Sequence, residues 1–308
     1  MGGNVFQETS PIEINHIKPT VDNFFKELST VFPSKKSIFS PDHFNYLGSA
    51  FKKEESNDLD LAIDISNILN YKNIKQSIKE WDLDFDNFNQ EFNILKSRAR
   101  TSTDDQLTLK ALFKLISKKI NNNSSSIRID EKKVGVGQMF CSFPQYDVFN
   151  NKINQRVQID FITGKIEWLL FSFYSKSYSS NVKGLHRTQL MLSAFQLADI
   201  SFDHLSGIKD KNTKELLADN PDTSLKELSN RLGIKINKEI AEDYFSLHEV
   251  LKKNLSKEKY SDLLNCYFKI LDSTRADIPE NIQSDWIIKK ETLGLSGKFL
   301  PENSKLRI

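Results

Sequence analysis

A chain of 308 residues with a formal net charge of +2, 38% hydrophobic and 27% charged residues has the apolar content to bury one large core or two ordinary ones, a globular rather than a disordered composition. No apolar run approaches the roughly 20 residues of a membrane-spanning helix, and the start Met1-Gly2-Gly3-Asn4-Val5-Phe6 lacks the blocks of a signal peptide and has Phe6 where a myristoylation signal places Ser or Thr, so a cytoplasmic location without membrane contact is expected. Two cysteines, Cys141 and Cys266, with no histidine at ligand spacing indicate neither a zinc site nor a disulfide framework, and the near-neutral charge does not by itself argue for polynucleotide binding.

Residues 1–20 read as irregular, broken by Pro11 and Pro19, with Thr20 placed to cap a helix over Val21–Phe32. After a loop from Pro33 to Pro41, Phe44–Leu47 begins a strand. The run Asp58-Leu59-Asp60-Leu61-Ala62-Ile63 alternates as a strand does, with Leu59, Leu61 and Ile63 on one face and Asp58, Asp60 and Ala62 on the other. Helical spacing returns over Ser66–Trp81 through Ile68, Leu69, Ile74 and Ile78, and over Phe88 to about Arg100. A further helix runs to about Ile120, capped by Ser102 or Thr103 with Asp104 and Asp105 at its positive end. Val134–Phe140 and Arg156–Ile162 read as strands joined near Asn150 and Asn151. Beyond Ile166 the pattern is mostly helical: Gly184–Ala198, Thr213–Leu217, Leu225–Leu232, Ile240–Asn254 and Tyr260–Leu271. The expectation is an α+β fold, with an N-terminal helix and a mixed β-sheet with flanking helices in residues 1–175 and a mostly helical C-terminal lobe in 176–308.

Two carboxylates on alternate residues of one strand, Asp58 and Asp60, lie close enough to share a metal. Asp160 supplies a third from a later strand, where Gln158 and Asp160 alternate against Val157, Ile159 and Phe161; an Asp in such a run is costly to bury without a cation nearby. Ahead of the first pair, Gly48 lets backbone approach a phosphate, Ser49 offers a hydroxyl, and Lys52 and Lys53 place positive charge on the following loop. Three carboxylates holding two Mg2+ ions, with Mn2+ as a substitute, beside a phosphate-binding turn suit phosphoryl transfer from a nucleoside triphosphate. Lys183 and Arg187, four apart at a helix start, share a face that could reach nucleotide phosphates. His186 beside them reads as structural, and Trp168, Phe171, Phe173 and Tyr174 read as core rather than as a base-stacking platform.

Gly48-Ser49, a short spacer, Asp58-Leu59-Asp60 and the later Asp160 resemble the signature of the polymerase-β-like nucleotidyltransferase superfamily. Gly2-Gly3-Asn4-Val5-Phe6, Lys52-Lys53, Val157-Gln158-Ile159-Asp160-Phe161 and Lys183-Gly184-Leu185-His186-Arg187 are similar to nucleotidyltransferases of tailed bacteriophages. The resemblance implies a mixed-sheet palm, Asp58, Asp60 and Asp160 as catalytic metal ligands, Gly48 and Ser49 as the phosphate-binding turn, and transfer of a nucleotide monophosphate with release of pyrophosphate, in the host cytoplasm for a phage-encoded protein. Phe51 departs from the family pattern, which has a small residue or Gly there. The expected acceptor is an RNA 3′ end such as that of tRNA; a protein side chain or small molecule is the alternative acceptor, and a nucleotide-binding module without turnover the alternative class.

Overall fold

Strand pairing in the N-terminal half follows from the alternation in Asp58–Ile63 and Val157–Phe161: each run has one fully apolar face, and two such strands side by side bury it together. The computed structural model describes residues 5–33, 39, 41–64, 73–100 and 102–295, which form a mixed α+β structure with 52% helix and 18% strand. Contacts divide the chain into two units, Gly2–Ile166 and Glu167–Ile308, so the division falls after Ile166 where the sequence suggests 175.

The first unit contains β1 (Ile12–Glu13), α1 (Ile14–Val31), β2 (Phe44–Tyr46), β3 (Glu55–Ser56), β4 (Asp58–Ile63), α2 (Ile74–Glu80), α3 (Phe85–Arg98), α4 (Asp104–Asn123), β5 (Arg128–Ile129), β6 (Gln138–Tyr146) and β7 (Lys152–Thr163). A five-stranded sheet runs in the order β2-β4-β7-β6-β5. The central pair β4 and β7 is parallel, and the remaining neighbours are antiparallel. Leu59, Leu61, Val157, Ile159 and Phe161 are buried on one face in a core shared with α1 and α4. There Phe24 of α1 packs on Phe143 and Phe161, with ring centroids 5.1 and 5.5 Å away.

The first helix differs from the expectation. It begins at Ile14 and runs through Pro19, giving up the backbone bond that the proline cannot donate while burying Ile17, Val21, Phe24, Phe25 and Leu28. Thr20 is therefore an interior residue rather than a cap, and its buried hydroxyl accepts from the Tyr146 amide at 2.8 Å. The cap expected near Ser102 is formed by Thr103, which makes a reciprocal capping box with Gln106 at the start of α4. Val134–Gly137, expected to be strand, lies ahead of β6. Gly137 has φ +67, which breaks extended pairing, and its carbonyl accepts from Thr163 N–H at 2.9 Å. Of the helix expected over Ser66–Trp81, Ile68 and Leu69 lie outside the described residues, as do Gly2, Gly3 and Asn4.

The second unit holds α5 (Ile166–Ser172), α6 (Gly184–Leu197), β8 (Ile200–Asp203), β9 (Gly207–Asp210), β10 (Leu216–Ala218), α7 (Pro221–Leu232), α8 (Lys238–Glu242), α9 (Tyr244–Asn254), α10 (Lys257–Thr274) and α11 (Gln283–Lys290). Trp168 and Phe171 belong to its core. Amid the helices, β8, β9 and β10 make an antiparallel sheet, which corrects the helix expected over Thr213–Leu217. The Asp210 carboxylate accepts from the amides of Asn212 and Thr213, and Lys214 adopts φ +64, so the chain turns back into a strand. Asp243 splits the helix expected over Ile240–Asn254 by capping α9 through the Ser246 amide.

Phe24→Ala removes the ring at the centre of the first unit's core. The variant is expected to lose about 3–5 kcal/mol of stability, read as a lower urea midpoint for the transition of residues 2–166.

Candidate metal centre

The register of the two parallel strands decides the site. Asp58 stands opposite Gln158 and Asp60 opposite Asp160, and because paired residues share a face, the apolar side chains on one side leave all three carboxylates on the other. Carboxylate oxygens of Asp58, Asp60 and Asp160 lie within 4.8 Å of one another, a cluster that could hold a metal ion. Asp160 is buried, while Asp58 and Asp60 are half-buried.

The electrostatics fit a cation. Burial first, and then the Asp58 carboxylate, push the Asp60 carboxyl well above the usual carboxylate range; burial, Asp60 and Asp58 do the same to Asp160. Against that, Gln158 Nε2 donates to both Asp160 oxygens, at 2.8 and 3.1 Å, favouring the ionised form. Gln158 is itself held from the other side, where its Oε1 accepts the Val5 amide at 3.0 Å. This positioning residue was visible in the sequence only as a polar residue two before Asp160. From Val5 the chain continues past β7 into a two-stranded ribbon: Ser10 N–H donates to Arg156 O at 2.8 Å, and β1 pairs with β3 at Ile12 and Ser56.

Gly48 sits against the same carboxylates. It adopts φ +61, and a Cβ there would stand 2.9 Å from Asp60 Oδ2, so both backbone conformation and space call for glycine. Leu47 N–H donates to Asp60 O at 2.9 Å, anchoring the turn to β4. Ser49 Oγ lies 3.3 Å from Ser56 Oγ, and Lys52 N–H closes the turn on Ser49 O at 3.0 Å. Lys52 and Lys53 are exposed on the loop that follows. Phe51, where the family pattern has a small residue, takes φ +59, a conformation glycine adopts at little cost, and its ring packs edge-on against Tyr46 at 4.8 Å.

Lys183 and Arg187 belong to the second unit, and the face they were expected to share is not formed. Lys183 Nζ pairs with Asp277 Oδ2 at 2.8 Å. Arg187 is 1% exposed; its Nε and Nη1 donate to the carbonyls of Ala241 and Phe171 at 2.6 and 2.8 Å, and its guanidinium lies over the Phe171 ring. Because α6 is buried at His186, Arg187, Gln189 and Leu190, position 187 faces the core, where burial lowers the guanidinium to about 10. His186 is buried as expected, with Nδ1 accepting from the Lys183 amide at 2.9 Å.

No family model and no curated protein matches this chain.

Raised carboxyls set the pH response of the metal-free protein. The folded state binds more protons than the unfolded chain between the ordinary carboxylate range and the raised values, so stability falls as pH rises through that window. In chelator, the melting temperature of the first unit is expected to drop between about pH 5 and pH 8, and Mg2+ or Mn2+ to restore it at pH 8. Asp160→Asn is expected to raise the pH 8 melting temperature in chelator and to weaken the metal response; a flat profile in the parent protein would refute the electrostatic account. Gly48→Ala is expected to weaken metal-induced stabilisation, read in the same melts.

Proposed function

We propose that the chain is a metal-dependent nucleotidyltransferase of the polymerase-β-like kind, whose mixed sheet serves as the palm and which transfers a nucleotide monophosphate from an NTP to a hydroxyl at an RNA 3′ end. The observation that carries this reading is the in-register pairing of Asp60 with Asp160 on parallel strands, with Asp58 beside them and the Gly48 turn held against Asp60.

In the transfer, the acceptor oxygen bonds to the α-phosphorus, the bond from that phosphorus to the bridging oxygen breaks, pyrophosphate departs and the hydroxyl proton is lost. Asp58, Asp60 and Asp160 would hold two Mg2+ ions, or Mn2+ in their place, which when bound neutralise phosphate charge and make the attacking hydroxyl more acidic. Gln158 orients Asp160 and favours its ionised form by donating to both of its oxygens. The Gly48-Ser49 turn offers close backbone approach and a hydroxyl to the triphosphate, with Lys52 and Lys53 supplying positive charge from the adjacent loop.

Incubation with each labelled NTP, Mg2+ or Mn2+ and a pool of RNAs is expected to yield extended RNA, with one pyrophosphate released for each nucleotide incorporated. Asp60→Ala and Asp160→Ala are each expected to lower the rate at least ~100-fold, the scale of removing a ligand from charge-stabilising metals. Extension by Asp60→Ala at the parent rate would sink the assignment.

A further inference from the structure

Lined by none of the three carboxylates, a groove of about 710 Å3 in the same unit runs between the later part of α3, the first three-quarters of α4 and the segment 131–136. Six cations line it: Arg98, Arg100, Lys110, Lys114, Lys118 and Lys132. Only two carboxylates oppose them. Glu91 is ion-paired with Lys114 and lies 3.9 Å from Lys118, and Glu131 accepts from the Asn121 amide group at 2.9 Å. The groove thus concentrates a surplus of four positive charges in a chain whose whole net charge is +2. Among the described residues, Arg98, Arg100, Lys110 and Lys132 take part in no ion pair.

Lys110, Lys114 and Lys118 recur every fourth residue of α4, so they share one helix face at a rise of about 6 Å. Like charges at that spacing repel and destabilise the helix. The same spacing is close to that of successive phosphates along an extended single strand, and the planar guanidiniums of Arg98 and Arg100 suit paired phosphate oxygens. The floor is aliphatic, from Leu95, Leu107 and Val134, and among the described residues no aromatic ring lines the groove. Recognition there addresses backbone rather than bases, since base stacking needs such rings.

We propose that this groove binds the phosphate backbone of single-stranded RNA, the acceptor strand of the reaction proposed above, without sequence preference. In naming RNA it rests on that reading. Affinity of the full-length protein for a labelled oligouridylate, measured by fluorescence anisotropy across a salt series, tests it. The triple variant Arg98→Gln, Lys110→Gln, Lys132→Gln is expected to bind at least ~10-fold more weakly at moderate salt and to flatten the log–log salt dependence by about 2, at roughly 0.7 per lost phosphate contact. Lys132→Gln alone, at an exposed position, is expected to flatten it by about 0.7 and keeps the test valid should the triple variant fail to fold. Unchanged affinity and slope overturn the proposal, as does an oligoglutamate that displaces RNA as well as unlabelled RNA does. Groove-dependent binding without pyrophosphate release would remove the catalytic reading alone, and release with an indifferent groove the groove alone.

Discussion

The parallel pairing of β4 with β7 is the constraint on which the rest of this structure depends. Side chains alternate along each strand, so a slip of one residue would turn Asp160 into the apolar core and Ile159 out of it. Burial of Leu59, Leu61, Ile159 and Phe161 on the helix-covered face therefore dictates that Asp60 and Asp160 stand side by side on the other. Two adjacent, partly desolvated carboxylates repel each other, a cost that the apolar face offsets. The fold thus stores a local electrostatic strain at one point and holds it there with packing that is mostly apolar.

Around that pair the chain is arranged to keep the carboxylates in place. Gln158 links the Val5 amide to Asp160, and the β1–β3 ribbon ties the N-terminal segment to the loop that follows Gly48. Gly48 is excluded from change both by its left-handed backbone and by the proximity of Asp60 Oδ2, whereas Phe51 tolerates a similar backbone at the cost of some strain and packs its ring on Tyr46. The charge of the first unit is divided in a corresponding way: acidic side chains gather on the open face of the sheet, and cations gather in the groove between α3 and α4. A net charge near neutrality conceals both.

Much of this was legible from residues with strong local rules. Period-two alternation in Asp58–Ile63 was enough to put Asp58 and Asp60 on one side of a strand, and a cap at Ser102 or Thr103 followed by Asp104 and Asp105 announced the start of α4. What local rules misjudged has local explanations of another kind. Pro19 reads as a breaker, yet the helix passes through it because six buried apolar residues outweigh one missing backbone bond. Thr213–Leu217 is too short for a helical period to be distinguished from a turn, and the Asp210 carboxylate supplies the turn. Arg187 looked solvent-facing by its charge, but backbone carbonyls of α5 and α8 accept from its Nε and Nη1 inside the core.

By itself the sequence determined which side chains are candidates for the proposed chemistry: three aspartates in strand-forming runs, a Gly-Ser turn ahead of the first two, and lysines beyond it, because residue type and short-range periodicity are local properties. Only the tertiary structure decided that Asp160, a hundred residues after Asp60, is its direct neighbour, that Gln158 orients it, and that Arg187 is a core residue. Those facts depend on strand order, register and the packing of distant elements, which are set by the burial of apolar faces over the whole unit and leave no mark on any short stretch of the chain.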